Sequence, residues 1–275
     1  MTVTPAASMT ADPASFHYQV FDTRTGQQIE IPQPNEGFLY VMTRLHLSID
    51  IPDRAVSAFI GPSGCGKSTA GRSILRLVEP TAGSIEFDGR DITRMATPDI
   101  ARLGIAYVPE SMAIFADLTV QENLVLAARS GPPDAARLDW IFGRFEALKR
   151  FWTLPAGNLS GGQKQMLSIS RAVVEPRKLV VIDEPTKGLA PAIINNLIEA
   201  LLELKKSGTT ILMVEHNMNV VSSIADTISV LQRGQVIAEG PYAQVSTNPQ
   251  VLEGFTPAGE PVTYQPPQRC SIGVR

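Results

Sequence analysis

Gly61-Pro62-Ser63-Gly64-Cys65-Gly66-Lys67-Ser68-Thr69 reads G-x-x-x-x-G-K-S, and its flanks decide what it means. The apolar run Ala55-Val56-Ser57-Ala58-Phe59-Ile60 precedes it, and residues 69–78 after it hold few helix breakers. Strand, glycine loop and helix, in that order, frame a phosphate-binding loop. Its glycines let successive backbone N–H groups turn inward around an anion, where a Cβ would block the approach. In this reading Lys67 reaches the β- and γ-phosphates of a nucleotide and the Ser68 hydroxyl holds Mg²⁺. The following helix points its positive end at the phosphates. A plain Gly/Ser turn would account for the loop but not for both flanks.

Bulk properties exclude several classes. With 275 residues, 44% of them apolar and 19% charged, the chain can build one or two globular domains with a large core. A net charge of −3 and no Lys/Arg run argue against a nucleic-acid surface. No apolar run approaches the roughly 20 residues of a membrane-spanning helix. The opening MTVTPAASMTADPAS lacks a basic stretch followed by an apolar one, so no secretory signal is expected. Two cysteines, Cys65 and Cys270, cannot form a disulfide framework, and a cytoplasmic placement is expected.

Along the chain, residues 1–36 are expected to be a flexible tail carrying one strand near 16–21. Short alternating runs from 38 to 60 suggest strands leading into the loop. Phe38 or Tyr40 there could stack on an adenine ring, or simply belong to the core. Residues 84–89 and 105–108 read as strands, the second ending on Pro109-Glu110. Thr119-Val120-Gln121-Glu122 fits a capping box opening a helix to about 128. Residues 138–152 are helical by spacing, with Ile141, Phe142, Phe145, Leu148 and Trp152 in one stripe. That stripe either packs on its own domain or forms a partner-binding face. From 246 to 275 a Pro-rich, peripheral tail is expected.

A second constellation lies downstream. Ser160-Gly161-Gly162-Gln163 fits a capping box, Ser160 at the N-cap and Gln163 three residues on, with a glycine pair that leaves the helix start open to an anion. About 20 residues later Leu179-Val180-Val181-Ile182-Asp183-Glu184 is a continuous apolar run, as a central parallel strand requires, ending in two carboxylates. Asp183 suits Mg²⁺ coordination, and Glu184 suits a base orienting an attacking water. Thr209-Thr210-Ile211-Leu212-Met213-Val214 is the next buried strand, and His216 beyond it can face a γ-phosphate at the carboxyl edge of the sheet. Residues 228–231 and 235–238 around Arg233-Gly234 read as a closing hairpin.

The order P-loop, LSGGQ, VVIDE, VEHN over about residues 38–245 resembles the ATP-binding subunits of ABC transporters. GIAYVPE, IFADLTVQENL, SGGQKQML and DEPTKGLAP look like the ATPases of branched-chain amino-acid importers, whereas IDIPDRAVSAFIGPSGCGKST looks like the phosphate importers. The resemblance implies an α/β fold: a P-loop NTPase core of mainly parallel sheet flanked by helices, an antiparallel β subdomain, and a helical subdomain at about 111–175 within a domain spanning 37–245. It implies that two such subunits, identical or different, sandwich ATP and Mg²⁺. Lys67, Ser68, Asp183 and Glu184 of one would face Ser160–Gln163 of the other across the ATP, with residues 61–69 binding the nucleotide and His216 catalytic. Glu110 stands where most relatives carry a glutamine that contacts Mg²⁺, and Ala190 where most carry an aspartate linking the two sites; the branched-chain group shares both changes. The expected partners are an integral membrane permease, against whose inner face the chain would lie, and indirectly a periplasmic or extracellular solute-binding protein. A phosphate-type importer ATPase and a soluble ABC ATPase acting on nucleic acid are the alternatives. A binding module without turnover is disfavoured by the intact Lys67, Asp183, Glu184 and His216, and a GTPase by the lack of an N-K-x-D motif.

Overall fold

The computed structural model describes residues 47–129, 131–245 and 247, and the backbone of strands at 2–5, 18–21, 28–29 and 271–274. Phe38 and Tyr40 lie outside the described residues. Residues 1–41 and 42–275 are two units. In the first, β1 (Thr2–Pro5), β2 (Tyr18–Phe21) and β3 (Gln28–Ile29) form an antiparallel sheet, β2 falling where a strand was expected and β1 and β3 being additional.

The second unit runs β4 (Ser48–Ile51), β5 (Val56–Ile60), α1 (Lys67–Ile74), β6 (Ser84–Phe87), β7 (Arg90–Asp91), α2 (Thr97–Arg102) and β8 (Ile105–Val108). Helices follow: α3 (Val120–Ala127), α4 (Ala135–Arg144), α5 (Glu146–Arg150) and α6 (Gly161–Val173). The chain then alternates β9 (Leu179–Asp183), α7 (Pro191–Lys206), β10 (Thr210–Val214) and α8 (Met218–Ile224). It closes with β11 (Thr227–Gln232), β12 (Gln235–Pro241), α9 (Tyr242–Val245) and β13 (Ser271–Val274).

β5, β9 and β10 are buried at every residue, so their side chains must be covered on both faces. Alternate residues serve two cores: Val56, Ala58, Val180, Ile182, Ile211 and Met213 join one, and Phe59, Val181, Leu212 and Val214 the other. Burying each Val, Ile, Leu, Met or Phe among them contributes about 1.5–3 kcal/mol, and a one-residue slip would exchange the two faces, so burial helps fix strand register. The strands lie in the order β12-β11-β5-β10-β9-β8, parallel from β11 to β8, with β12 antiparallel at the edge. The hairpin to β12 turns through Arg233 and Gly234 at φ 47° and 81°, the doubly left-handed turn that matches strand twist.

The smaller sheet has the order β4-β13-β6-β7 and corrects two expectations. It is antiparallel only at β6/β7, because β13 runs parallel to both neighbours. The end of the chain is therefore not peripheral at Ser271–Val274. Ile49, Ile51, Ile85 and Phe87 point one face of β4 and β6 into the core around α1, which leaves two facing ladder edges for a short alternating strand to fill.

Two helices are shorter than their spacing suggests. α1 stops at Ile74 because Arg76 turns left-handed (φ 54°). The N–H groups of Arg76 and Leu77 then donate back to the carbonyls of Ser73 and Arg72, closing the end as a Schellman motif. The helix expected over 138–152 breaks at Phe145 (φ −126°, ψ 64°), whose ring is buried. Ile141, Phe145 and Leu148 lie in the same core as the sheet, and Phe142 meets Trp152 edge-on at 5.2 Å. The apolar stripe thus packs on its own domain.

Candidate active site

The carboxyl ends of β5, β9 and β10 lie side by side, so the segments that follow them share one edge of the sheet. After β5 the chain turns at Gly61 (φ 145°), where an added Cβ would sit 2.0 Å from the Leu231 carbonyl oxygen; only glycine fits. Gly66 (φ 106°) begins α1 without a side-chain cap, and the N–H groups of Gly66, Lys67, Ser68 and Thr69 have no acceptor among the described residues. Orphan donors converge at a positive helix end, which is what an anion needs. The buried Lys67 Nζ donates to the carbonyls of Gly61 (2.9 Å) and Pro62 (3.0 Å), which holds its charge inside the loop. Cys65 is buried behind it, and burial pushes its thiol up despite the neighbouring Lys67.

Asp183, the last residue of β9, is 1% exposed and does not stand alone. It accepts from Ser68 Oγ at 2.7 Å, Tyr107 Oη at 3.0 Å and Arg72 Nη2 at 3.4 Å. Tyr107 in turn accepts from Arg72 Nε at 3.1 Å. Burial pushes the Tyr107 hydroxyl up to about 12, with the Asp183 charge adding to it and Arg72 opposing, so it remains a donor. Ser68 and Asp183 together fit Mg²⁺ carried on a nucleotide: a serine hydroxyl and a carboxylate within 3 Å, the remaining positions left to phosphate and water.

Glu184 is left-handed at φ 47°, a conformation that costs a residue with a Cβ about 1–2 kcal/mol. Its N–H donates to the Val214 carbonyl at 2.9 Å, which helps hold the turn. The turn aims the carboxylate at β10's end, where His216 Nε2 donates to Glu184 Oε1 at 2.8 Å. His216 is itself held by Glu215, a buried carboxylate that accepts from the N–H groups of His216 (2.7 Å) and Asn217 (2.9 Å) and from Thr186 Oγ1 (2.7 Å). Glu110, two residues past β8, pairs with Lys187, which also lies 3.5 Å from Glu184 Oε2.

Ser160–Gln163 forms the expected capping box: Gln163 Oε1 accepts from the Ser160 N–H at 2.9 Å, and Ser160 Oγ from the Gln163 N–H at 3.4 Å. Ser160 and Gly161 are exposed, and an added Cβ at Gly161 would meet nothing within 4 Å. Among the described residues no hydrogen bond or ion pair joins 160–163 to 61–69, 183–184 or 216. Ala190 N-caps α7 with no side-chain bond, ahead of Pro191 at N1. The structure brings Lys67, Ser68, Asp183, Glu184 and His216 to one edge of the sheet and sets beside them Arg72, Tyr107, Lys187 and Glu215, which the sequence reading did not name. One signal for these was present: Arg72 stands four residues after Ser68, on the same helix face.

Residues 45–187 match the family described as ABC transporter. The chain is 34% identical to the high-affinity branched-chain amino acid transport ATP-binding protein BraG of Pseudomonas aeruginosa, over 76% of this chain and 91% of that one. It is 33% identical to the probable branched-chain amino acid transport ATP-binding protein LivG of Archaeoglobus fulgidus, over 76% and 87%. The methionine import ATP-binding protein MetN of Histophilus somni is 32% identical over 75% of this chain and 62% of that one. Among solved structures, a nucleotide-free ATP-binding cassette from an ABC transporter superposes with a TM-score of 0.66 at 29% identity, covering 76% of this chain and 90% of that one. A dimeric ATP-binding cassette in a post-hydrolysis state bound to ADP and Pi gives 0.65 at 25% identity, covering 76% and 94%.

Proposed function

The chain belongs to the ABC transporter family as an ATP-hydrolysing subunit, and from that premise we propose that it powers import of branched-chain or related amino acids through a membrane permease. Among the described residues no helix is long and apolar enough to cross a membrane, so the translocating path would come from that permease. The observation that carries the solute assignment is the match to BraG and LivG over about nine-tenths of their lengths. Glu110 and Ala190 are the residues that the resemblance to the branched-chain group implies at those two positions.

The site's chemistry follows from its donors and acceptors. Lys67 exchanges its loop carbonyls for β- and γ-phosphate oxygens, and the free N–H groups of residues 66–69 take the remaining oxygens. Ser68 and Asp183 would hold Mg²⁺, which would supply positive charge to neutralise the phosphates. Tyr107 and Arg72 keep the Asp183 carboxylate aimed at Ser68 through their hydrogen bonds. Glu184 orients the attacking water and accepts its proton, and His216 fixes the carboxylate through Nε2. The open helix start at Ser160–Gln163 acts on a second subunit's γ-phosphate, so each sandwich needs two ATPase chains, alike or different.

Labelled uptake tests the solute directly. A strain carrying only the Glu184→Gln form is expected to lose uptake of leucine, isoleucine or valine while keeping that of methionine and phosphate. Normal branched-chain uptake with loss of methionine or phosphate uptake would overturn the assignment.

A further inference from the structure

We infer that Lys187 is a positioning residue that ties Glu110 to Glu184, so that three neighbouring strand ends report to one carboxylate. The inference rests on Glu184 being the base. Glu184 and Lys187 are joined by a tight turn in which the Lys187 N–H donates to the Glu184 carbonyl at 3.3 Å. The turn returns the Lys187 ammonium over the Glu184 carboxylate, 3.5 Å from Oε2, while Nζ also donates to Glu110 Oε1. With His216 on Glu184 Oε1, four side chains form one line: Glu110, Lys187, Glu184, His216. They leave from the ends of β8, β9 and β10.

The arrangement has an electrostatic reason. Glu110 brings another carboxylate toward a site that already holds Asp183 and Glu184 and would receive a polyanion. Unopposed, it would push Glu184 off the direction set by His216. Lys187 answers both carboxylates with one ammonium, whose proton is held more tightly through Glu110 first and Glu184 second. Its side chain is 64% exposed and that of Glu110 39%, so the pair adds little to folding. Glu184 is only 16% exposed. Loss of Lys187 should therefore appear in turnover and not in stability.

Steady-state ATP hydrolysis by purified variants tests this. Lys187→Met is expected to lower kcat about three- to tenfold, with KM for ATP and the unfolding temperature unchanged. Lys187→Arg should restore the rate. Glu110→Gln combined with Lys187→Met should recover most of the loss, because the unopposed carboxylate is gone. An unaltered kcat in Lys187→Met, or a double variant as slow as or slower than Lys187→Met, would overturn the proposal. Glu184→Gln serves as the control: full activity there would remove Glu184 from the mechanism, a result the Lys187 series alone cannot give.

Discussion

Among the described residues, the helix starts of α1 and α6, both read from the sequence as suited to phosphate, differ in what they bring. The start of α1 has no side-chain cap, sits beside a buried lysine and lies one hydrogen bond from Asp183. The start of α6 has the Ser160 and Gln163 N–H groups engaged in a capping box, is otherwise open to solvent, and makes no bond to the P-loop edge among the described residues. The first brings donors, cation and metal ligand together within one chain. The second brings only a rigid, glycine-faced helix end. The first is furnished to hold an anion by itself, and the proposed use of the second is on another molecule's anion. One sequence is thus proposed to hold a half-site and a complementary half-site.

The largest effect should come from breaking the first half-site. Lys67→Met leaves the loop's N–H groups in place but removes the buried cation, and ATP affinity is expected to fall about 10²-fold, as for loss of charge-assisted bonds to a polyanion. Equilibrium binding of a fluorescent nucleotide measures it, and an affinity within twofold of wild type would deny Lys67 its role. Breaking the second half-site should separate binding from turnover. Ser160→Ala removes a cap worth about 1 kcal/mol, so hydrolysis is expected to fall about fivefold while nucleotide binding to the single chain is unchanged. A parallel loss of binding would mean that α6 serves its own chain's nucleotide, and the contrast between the two starts would collapse.

What could be read in advance divides along the same line. The G-x-x-x-x-G-K-S loop, the Ser160 and Thr119 capping boxes and the Val181-Ile182-Asp183-Glu184 strand end are local signals, set by propensity and spacing within a few residues. Tyr107 could not be assigned to Asp183 because their meeting depends on β8 lying beside β9, a non-local pairing. Glu215 is likewise tied to Thr186 only through the adjacency of β9 and β10. Lys187 needed the left-handed turn at Glu184, which no residue preference announces. The break at Phe145 was decided by packing, where burial of its ring outweighed helix spacing, and the interior place of β13 by its non-local backbone pairing with β4 and β6. The fold was thus legible where one strand or helix sufficed, and the site where one loop sufficed.

The open helix start of α6 is proposed to serve a second chain. Light scattering on the Glu184→Gln variant, with and without Mg²⁺-ATP, tests it most directly, because slowed turnover by about 10²- to 10⁴-fold keeps ATP in place. A monomer is expected without nucleotide and twice that mass with it when the chain can pair with itself, and the same doubling upon adding a companion ATPase when it cannot. A mass that stays monomeric with ATP bound, both alone and with every companion ATPase that its permease carries, would contradict the sandwich and with it the role of Ser160–Gln163.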